Sequence, residues 1–266
     1  MKVLKFGGTS VGSAKNIKKV IEIVKSSCEN DQIAVVVSAV GGITDKLMSA
    51  SQKAIDNDLN YKNDFNKLKQ QHLDVTEGLL SGTSLVNTTD IILEKLTELE
   101  RLLDGIFLIK ELSPKTTDKL LSFGELMSSL IIFEAMQEQG LNVQLKNSQN
   151  LIVTDSNFTN AAVQFDETNS NIKTYFEHNK KMVTILPGFI SKSEDEEITT
   201  LGRGGSDYTA AIMAAALKAD ILEIWTDVSG MFTTNPKLVS RICLISGNKR
   251  GMTHRPEAAD LFRHRD

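Results

Sequence analysis

The sequence predicts an α/β protein, a three-layer α/β/α sandwich around a mainly parallel central sheet. Three observations carry this expectation. Ile33–Val37 is apolar and mostly β-branched throughout, the signature of a strand covered on both faces. Such strands alternate with helical patterns over much of the chain, the order that builds parallel sheets. Strands also run into glycine turns that lead into helices, first at Gly7-Gly8 and again at Gly41-Gly42.

Taken in order, residues 3–6 form a short apolar strand. Ile17, Val20, Ile21 and Val24 follow at i, i+3, i+4, i+7, which places one apolar face on a helix that Ser10 or Ser13 would cap. After the strand Ile33–Val37, residues 44–133 give almost no strand signal. Ile92, Leu96, Leu99 and Leu103 lie on one helical stripe there, with Glu94, Lys95, Glu98 and Glu100 off it. Strands return at Val143–Leu145, 151–153, 182–186, 198–201 and Ile221–Trp225, with an alanine-rich helix at 209–217. The polar stretch inside 188–201 reads as a hairpin projecting from the sheet.

With 266 residues, the chain is long enough to bury a core without staples. Its net charge of −4 argues against a dedicated nucleic-acid binder. Cys28 and Cys243 are too few for a disulfide framework or a zinc site, and no apolar run is expected to span a membrane. A soluble, cytoplasmic protein is the expectation. Residues 240–266 lose periodicity and carry six Lys/Arg against three Asp/Glu, as a basic arm or as an unstructured end. His72, His178, His254 and His264 have no metal-ligand spacing and are expected on the surface.

Several segments bear chemistry. Glycine pairs after buried strands let backbone approach a ligand, and a following helix N-terminus suits phosphate. Lys5 precedes the first pair and can meet phosphate as a point charge. Neither of the common nucleotide fingerprints, G-x-G-x-x-G or G-x-x-x-x-G-K-[ST], is present. In Leu201-Gly202-Arg203-Gly204-Gly205-Ser206-Asp207-Tyr208-Thr209, Arg203 offers a fork for a carboxylate. Asp207 stands at a helix start, as an N-cap or as a partner for a lysine. Ser122-Phe123-Gly124-Glu125 reads as preceding a helix, with Glu125 a first-turn dipole partner or a ligand for an ammonium. Residues 225–237 offer hydroxyls, a carboxylate, an aromatic ring and a cation at the carboxyl end of the sheet, where open α/β sheets bind ligands.

Lys5-Phe6-Gly7-Gly8-Thr9-Ser10-Val11 resembles the opening motif of aspartokinases, in the amino-acid kinase superfamily. The likeness continues through Val37-Ser38-Ala39, the 41–45 turn, Ser122-Phe123-Gly124-Glu125, Leu186-Pro187-Gly188-Phe189-Ile190, 201–209 and 225–237. The helical block near 45–110 resembles the kinase portion of bifunctional aspartokinase–homoserine dehydrogenases. The resemblance implies an amino-acid kinase catalytic domain over 1–238, with aspartate held mostly by its N-terminal half and nucleotide by its C-terminal half. Residues 239–266 form an irregular tail that does not match the family. They lack the family's Phe-Gly-Ala-Lys-Val motif, as if the chain were truncated or divergent there.

The implied activity is ATP-dependent phosphorylation of the side-chain carboxylate of L-aspartate to 4-phospho-L-aspartate, the first step of aspartate-family (lysine, threonine and methionine) biosynthesis. The alternatives are a kinase of another small acid in the superfamily and an inactive amino-acid-binding fragment. The resemblance assigns Lys5 and Asp207 to catalysis. It gives Ser38, Thr44, Glu125, Arg203, Gly204 and Ser206 to the amino acid, and Lys5, Gly7, Gly8, Thr226, Asp227, Phe232 and Lys237 to the nucleotide. Mg²⁺ is expected with ATP, with no protein ligand assigned. L-Aspartate and ATP are the expected partners, a homo-oligomer is left open, and neither nucleic acid nor membrane is expected.

Overall fold

The computed structural model describes residues 1–28, 32–179 and 181–226. Its five-stranded sheet is parallel throughout, in the order β3-β5-β2-β1-β8. The strands are β1 (Lys2–Phe6), β2 (Ile33–Val37), β3 (Val143–Leu145), β5 (Val183–Pro187) and β8 (Ile221–Trp225). β1 is flanked in register by β2, with Lys5 opposite Val36, and by β8, with Lys5 opposite Ile224.

Side chains alternate across this sheet and divide the core in two. Leu4, Phe6, Ile33, Val35, Val37 and Ile185 face a large cluster built with α1 (Ala14–Ser27), α2 (Ile43–Ile55), α3 (Tyr61–Leu79), α4 (Gly82–Ile109) and α5 (Pro114–Glu138). Val3, Ala34, Val36 and Leu186 face a smaller one built with α6 (Phe165–His178) and α7 (Gly205–Ala216). The three layers expected from the continuous apolar strands are therefore present.

The hairpin expected over 188–201 is β6 (Ile190–Ser193) and β7 (Ile198–Thr200). It does not stand alone, because β4 (Val153–Thr154) pairs with β6 to make a second, three-stranded sheet. Ser13, not Ser10, caps α1, its hydroxyl accepting from the Asn16 N–H at 3.3 Å.

One expectation requires correction here. His72 is fully buried on α3, in the stripe with Phe65, Leu68 and Val75. Its Nδ1–H donates to the Leu68 carbonyl at 2.9 Å, and burial lowers its pKa to about 4, so it packs as a neutral ring. α5 is long and apolar enough to cross a bilayer by length and composition, but 67% of that stretch is buried in the core.

Glycines set the closest approaches. A Cβ at Gly188 would lie 2.7 Å from Ser206 Cβ and 2.9 Å from its Cα, so the end of β5 seats the start of α7 only with glycine there. Gly188→Ala is expected to destabilise by about 1–3 kcal/mol, the range for overpacking, or roughly 2–10 °C in Tm at this chain size. An unchanged thermal unfolding midpoint would contradict the close seat.

Candidate active site

The carboxyl ends of β1, β2 and β5 open into a cavity of about 600 Å³. Lys5, at the penultimate position of β1, projects to the α7 side of the sheet. Its ammonium meets Asp207 Oδ1 at 2.7 Å, the lysine nearly buried and the aspartate half exposed. Asp207 lies in the first turn of α7 and is not its N-cap. The cap is Gly204, with φ 76° and no side-chain hydrogen bond. Gly42 caps α2 in the same way, with φ 76° and no side-chain bond. Glycine takes this conformation without strain and brings no oxygen of its own to the first-turn N–H groups. Two positive helix ends therefore face one cavity, an arrangement suited to anions.

Glu125 reaches the cavity from the other face of the sheet. It lies in the middle of α5, not before a helix as expected, because Ser113 and Pro114 start that helix earlier. Gly124 lets α5 come close to the β2 turn: a Cβ there would lie 2.9 Å from Ala39 Cβ. Glu125 is buried, its Oε2 has no partner, and burial pushes its carboxyl up to about 8 against the Ala39 N–H and the Lys5 charge. A buried, half-satisfied carboxylate facing a cavity is a ready receptor for a cation.

Of the expected site residues, Lys5, Gly8, Ser38, Thr44, Glu125, Arg203, Gly204, Ser206 and Asp207 all line this cavity. Arg203 is exposed at its rim and forms no ion pair with another described residue. Gly7 lies just behind the wall, where an added Cβ would be 3.5 Å from Lys5 Nζ and 3.9 Å from Thr226 Oγ1. Its N–H donates to the Trp225 carbonyl at 3.1 Å. Asp227, Phe232, Lys237 and the 239–266 tail lie outside the described residues.

Sequence reasoning missed part of the wall. Phe189, Thr159, Thr200 and Thr117 also line the cavity. Phe189 has φ 69°, which is uncommon for a non-glycine residue. Its N–H is fixed by Thr209 Oγ1 at 2.9 Å, and its ring covers Gly205, where a Cβ would lie 2.6 Å from the ring. The signal for Phe189 is its place directly after Gly188 at the end of β5. Thr159 belongs to a loop with no local signal.

Residues 1–250 match the amino acid kinase family. Over 252 residues the chain is 33% identical to the bifunctional aspartokinase/homoserine dehydrogenase of Buchnera aphidicola subsp. Acyrthosiphon pisum, covering 92% of this chain and 30% of that protein. It is 32% identical to the chloroplastic aspartokinase 1 of Arabidopsis thaliana, covering 90% of this chain and 42% of that one. The chain thus spans less than half the length of either relative. Among solved structures, E. coli aspartokinase III in complex with aspartate and ADP superposes with a TM-score of 0.83 at 31% identity, covering 92% of this chain and 53% of that one. The glycine turns, the lysine–aspartate pair and the extent of the match agree, and the chain belongs to the amino acid kinase family.

Proposed function

We propose that this chain carries the catalytic domain of an aspartokinase, transferring the γ-phosphoryl group of ATP to the side-chain carboxylate of L-aspartate. The observation that carries this reading is the cavity itself, which gathers a fixed ammonium, a receptor for a cation, a free guanidinium and two helix N-termini within one wall. The likeness to an aspartokinase that holds aspartate and ADP supports the same reading.

The chemistry follows from the parts. A β-carboxylate oxygen of aspartate attacks the γ-phosphorus, the bond to the bridging oxygen breaks, and ADP leaves with that electron pair. The carboxylate is already ionised at neutral pH, so no general base is needed. Phosphoryl transfer asks for positioning and charge neutralisation. Lys5 supplies charge at the transferred group, and Asp207 fixes the ammonium. Glu125 receives the α-ammonium and Arg203 the α-carboxylate, while Ser38, Thr44, Gly204 and Ser206 shape the amino-acid end. Gly7, Gly8 and Thr226 belong to the nucleotide end, with Asp227, Phe232 and Lys237. Mg²⁺ would accompany ATP, held largely by the nucleotide phosphates and its own waters, with no protein ligand assigned. In this reading residues 1–238 form the catalytic unit, and the family match runs on to residue 250.

A coupled assay of ADP release tests the proposal. L-Aspartate is expected to drive release, whereas L-glutamate, N-acetylglutamate and uridine monophosphate are not. Release with none of them favours an amino-acid-binding chain without turnover. Arg203→Lys keeps the charge and loses the fork. It is expected to raise the KM for aspartate about tenfold, near 1.4 kcal/mol, with the KM for ATP unchanged. Equal KM values for wild type and variant would remove Arg203 from the carboxylate.

A further inference from the structure

Asp118 is fully buried on α5, two turns before Glu125, and is paired with no cation among the described residues. Both of its carboxylate oxygens are engaged. Oδ1 accepts from the Thr200 hydroxyl at 2.7 Å, while Oδ2 accepts from the N–H of Thr159 at 2.8 Å and of Thr200 at 3.1 Å. Both threonines line the cavity.

What Asp118 holds is a strained wall. Thr159 has φ 72°, an outlier for a β-branched residue, which persists only where surrounding contacts over-determine it. The loop around Thr159 is closed on itself by the Asp155 N–H to the Ala162 carbonyl at 2.9 Å. It is tied to β7 by the Ala161 N–H to the Thr200 carbonyl at 3.0 Å. Its next residue, Asn160, presses on Gly202, where an added Cβ would lie 2.4 Å from the amide oxygen. Gly202, with φ 71°, immediately precedes Arg203. A continuous line of contacts thus runs from a buried carboxylate in the helix that carries Glu125 to the backbone that carries Arg203.

We propose that Asp118 is a positioning residue for the amino-acid end of the cavity: by holding Thr159 and Thr200 it sets the seat of Gly202, and so the distance between Arg203 and Glu125. The inference rests on reading this cavity as the aspartate site. It asks for no contact between Asp118 and substrate. An amino acid gripped at both its carboxylate and its ammonium is sensitive to that distance, whereas the nucleotide is not.

The test uses the full chain and two readouts. Asp118→Ala is expected to raise the aspartate KM about tenfold while leaving the ATP KM within twofold. In hydrogen-exchange mass spectrometry it is expected to speed exchange at 155–163 and 200–204 at least tenfold, with β1 and β2 unchanged. Asp118→Asn is expected to restore most of both, because its amide oxygen keeps the two N–H bonds and the Thr200 hydroxyl can turn to accept. Lys115→Met cuts only the exposed Lys115–Glu197 ion pair, at 2.8 Å, between the start of α5 and the β6–β7 turn beside β7. It is expected to leave both KM values within twofold. Should the alanine variant not fold, Asp118→Ser leaves room for water at the freed N–H groups and carries the same expectations. Unaltered exchange, a parallel rise of both KM values, or an asparagine variant no better than alanine overturns the proposal. A wild type that releases no ADP with aspartate sinks the reading of the cavity instead, and the exchange arm then decides alone whether Asp118 holds the wall.

Discussion

Lys5→Ala is expected to lower kcat by about 10²–10³, or about 3–4 kcal/mol, with little change in either KM. That is the usual worth of one preorganised donor at developing charge. The ammonium is nearly buried and held at 2.7 Å from Asp207, so it needs no reorganisation when the phosphoryl group moves. Asp207→Ala is expected to cost a comparable factor, because it frees the lysine from the carboxylate that holds it. The double variant is expected to cost far less than the product of the singles, as for groups acting as one unit. If Lys5 were only a solvated strand end and Asp207 only a first-turn carboxylate, the effects would be small and additive. Single-turnover rates for the four proteins decide between these outcomes.

Glu125→Gln is expected to raise the aspartate KM about 10²-fold, the low end of the about 3–5 kcal/mol lost when one partner of a buried ion pair is removed. The pH dependence follows from the raised pKa. With burial holding the carboxyl at about 8 against an ordinary 4.5, the empty site is mostly protonated at neutral pH. Only the anion pairs with an ammonium, so aspartate binding tightens as pH rises from 6 towards 8 and releases a proton across that range. The sign for folding is opposite. The folded state keeps a proton that the unfolded state loses above 4.5, so stability falls as pH rises from about 4.5 to about 8 and levels off beyond. The glutamine variant has no such proton, and its Tm is expected to be flatter with pH over that window. Parallel Tm profiles would place the titration elsewhere.

Much of this was legible in the sequence because each piece had a local cause. Ile33–Val37 is apolar at every position, and it is buried at every position. Lys5, Gly8, Arg203 and Asp207 stood within short motifs beside strand ends, and the strand ends converge. Glu125 was placed wrongly on its helix, because the polar opening from Pro114 to Lys119 gives no apolar stripe to mark the true start. α6 was missed altogether: its buried positions, Thr168, Ile172 and Phe176, make too narrow a stripe to stand out. Asp118 and Thr159 were illegible for another reason. Their pairing spans 41 residues and has no motif on either side. The one available hint was that Asp118 falls seven residues before Glu125, on the same helix face.

The position of β1 in the sheet bears on the order in which the site comes into being. Its neighbour β2 follows almost at once, and the helices from α2 to α5 pack mainly on one another. The other neighbour, β8, closes on β1 only when Lys2 meets Ile221, and the N-terminal ammonium ties to Asp220 at 2.7 Å across 219 positions. At about 5–20 residues per second, synthesis needs roughly 10–40 s to carry the chain from one neighbour to the other. During that interval the strand bearing Lys5 has one open edge, and α7, which brings Asp207, does not yet exist. The Lys5–Asp207 pair therefore assembles late among the described residues, while the helices that carry Glu125 and Asp118 can settle early, through contacts close in sequence.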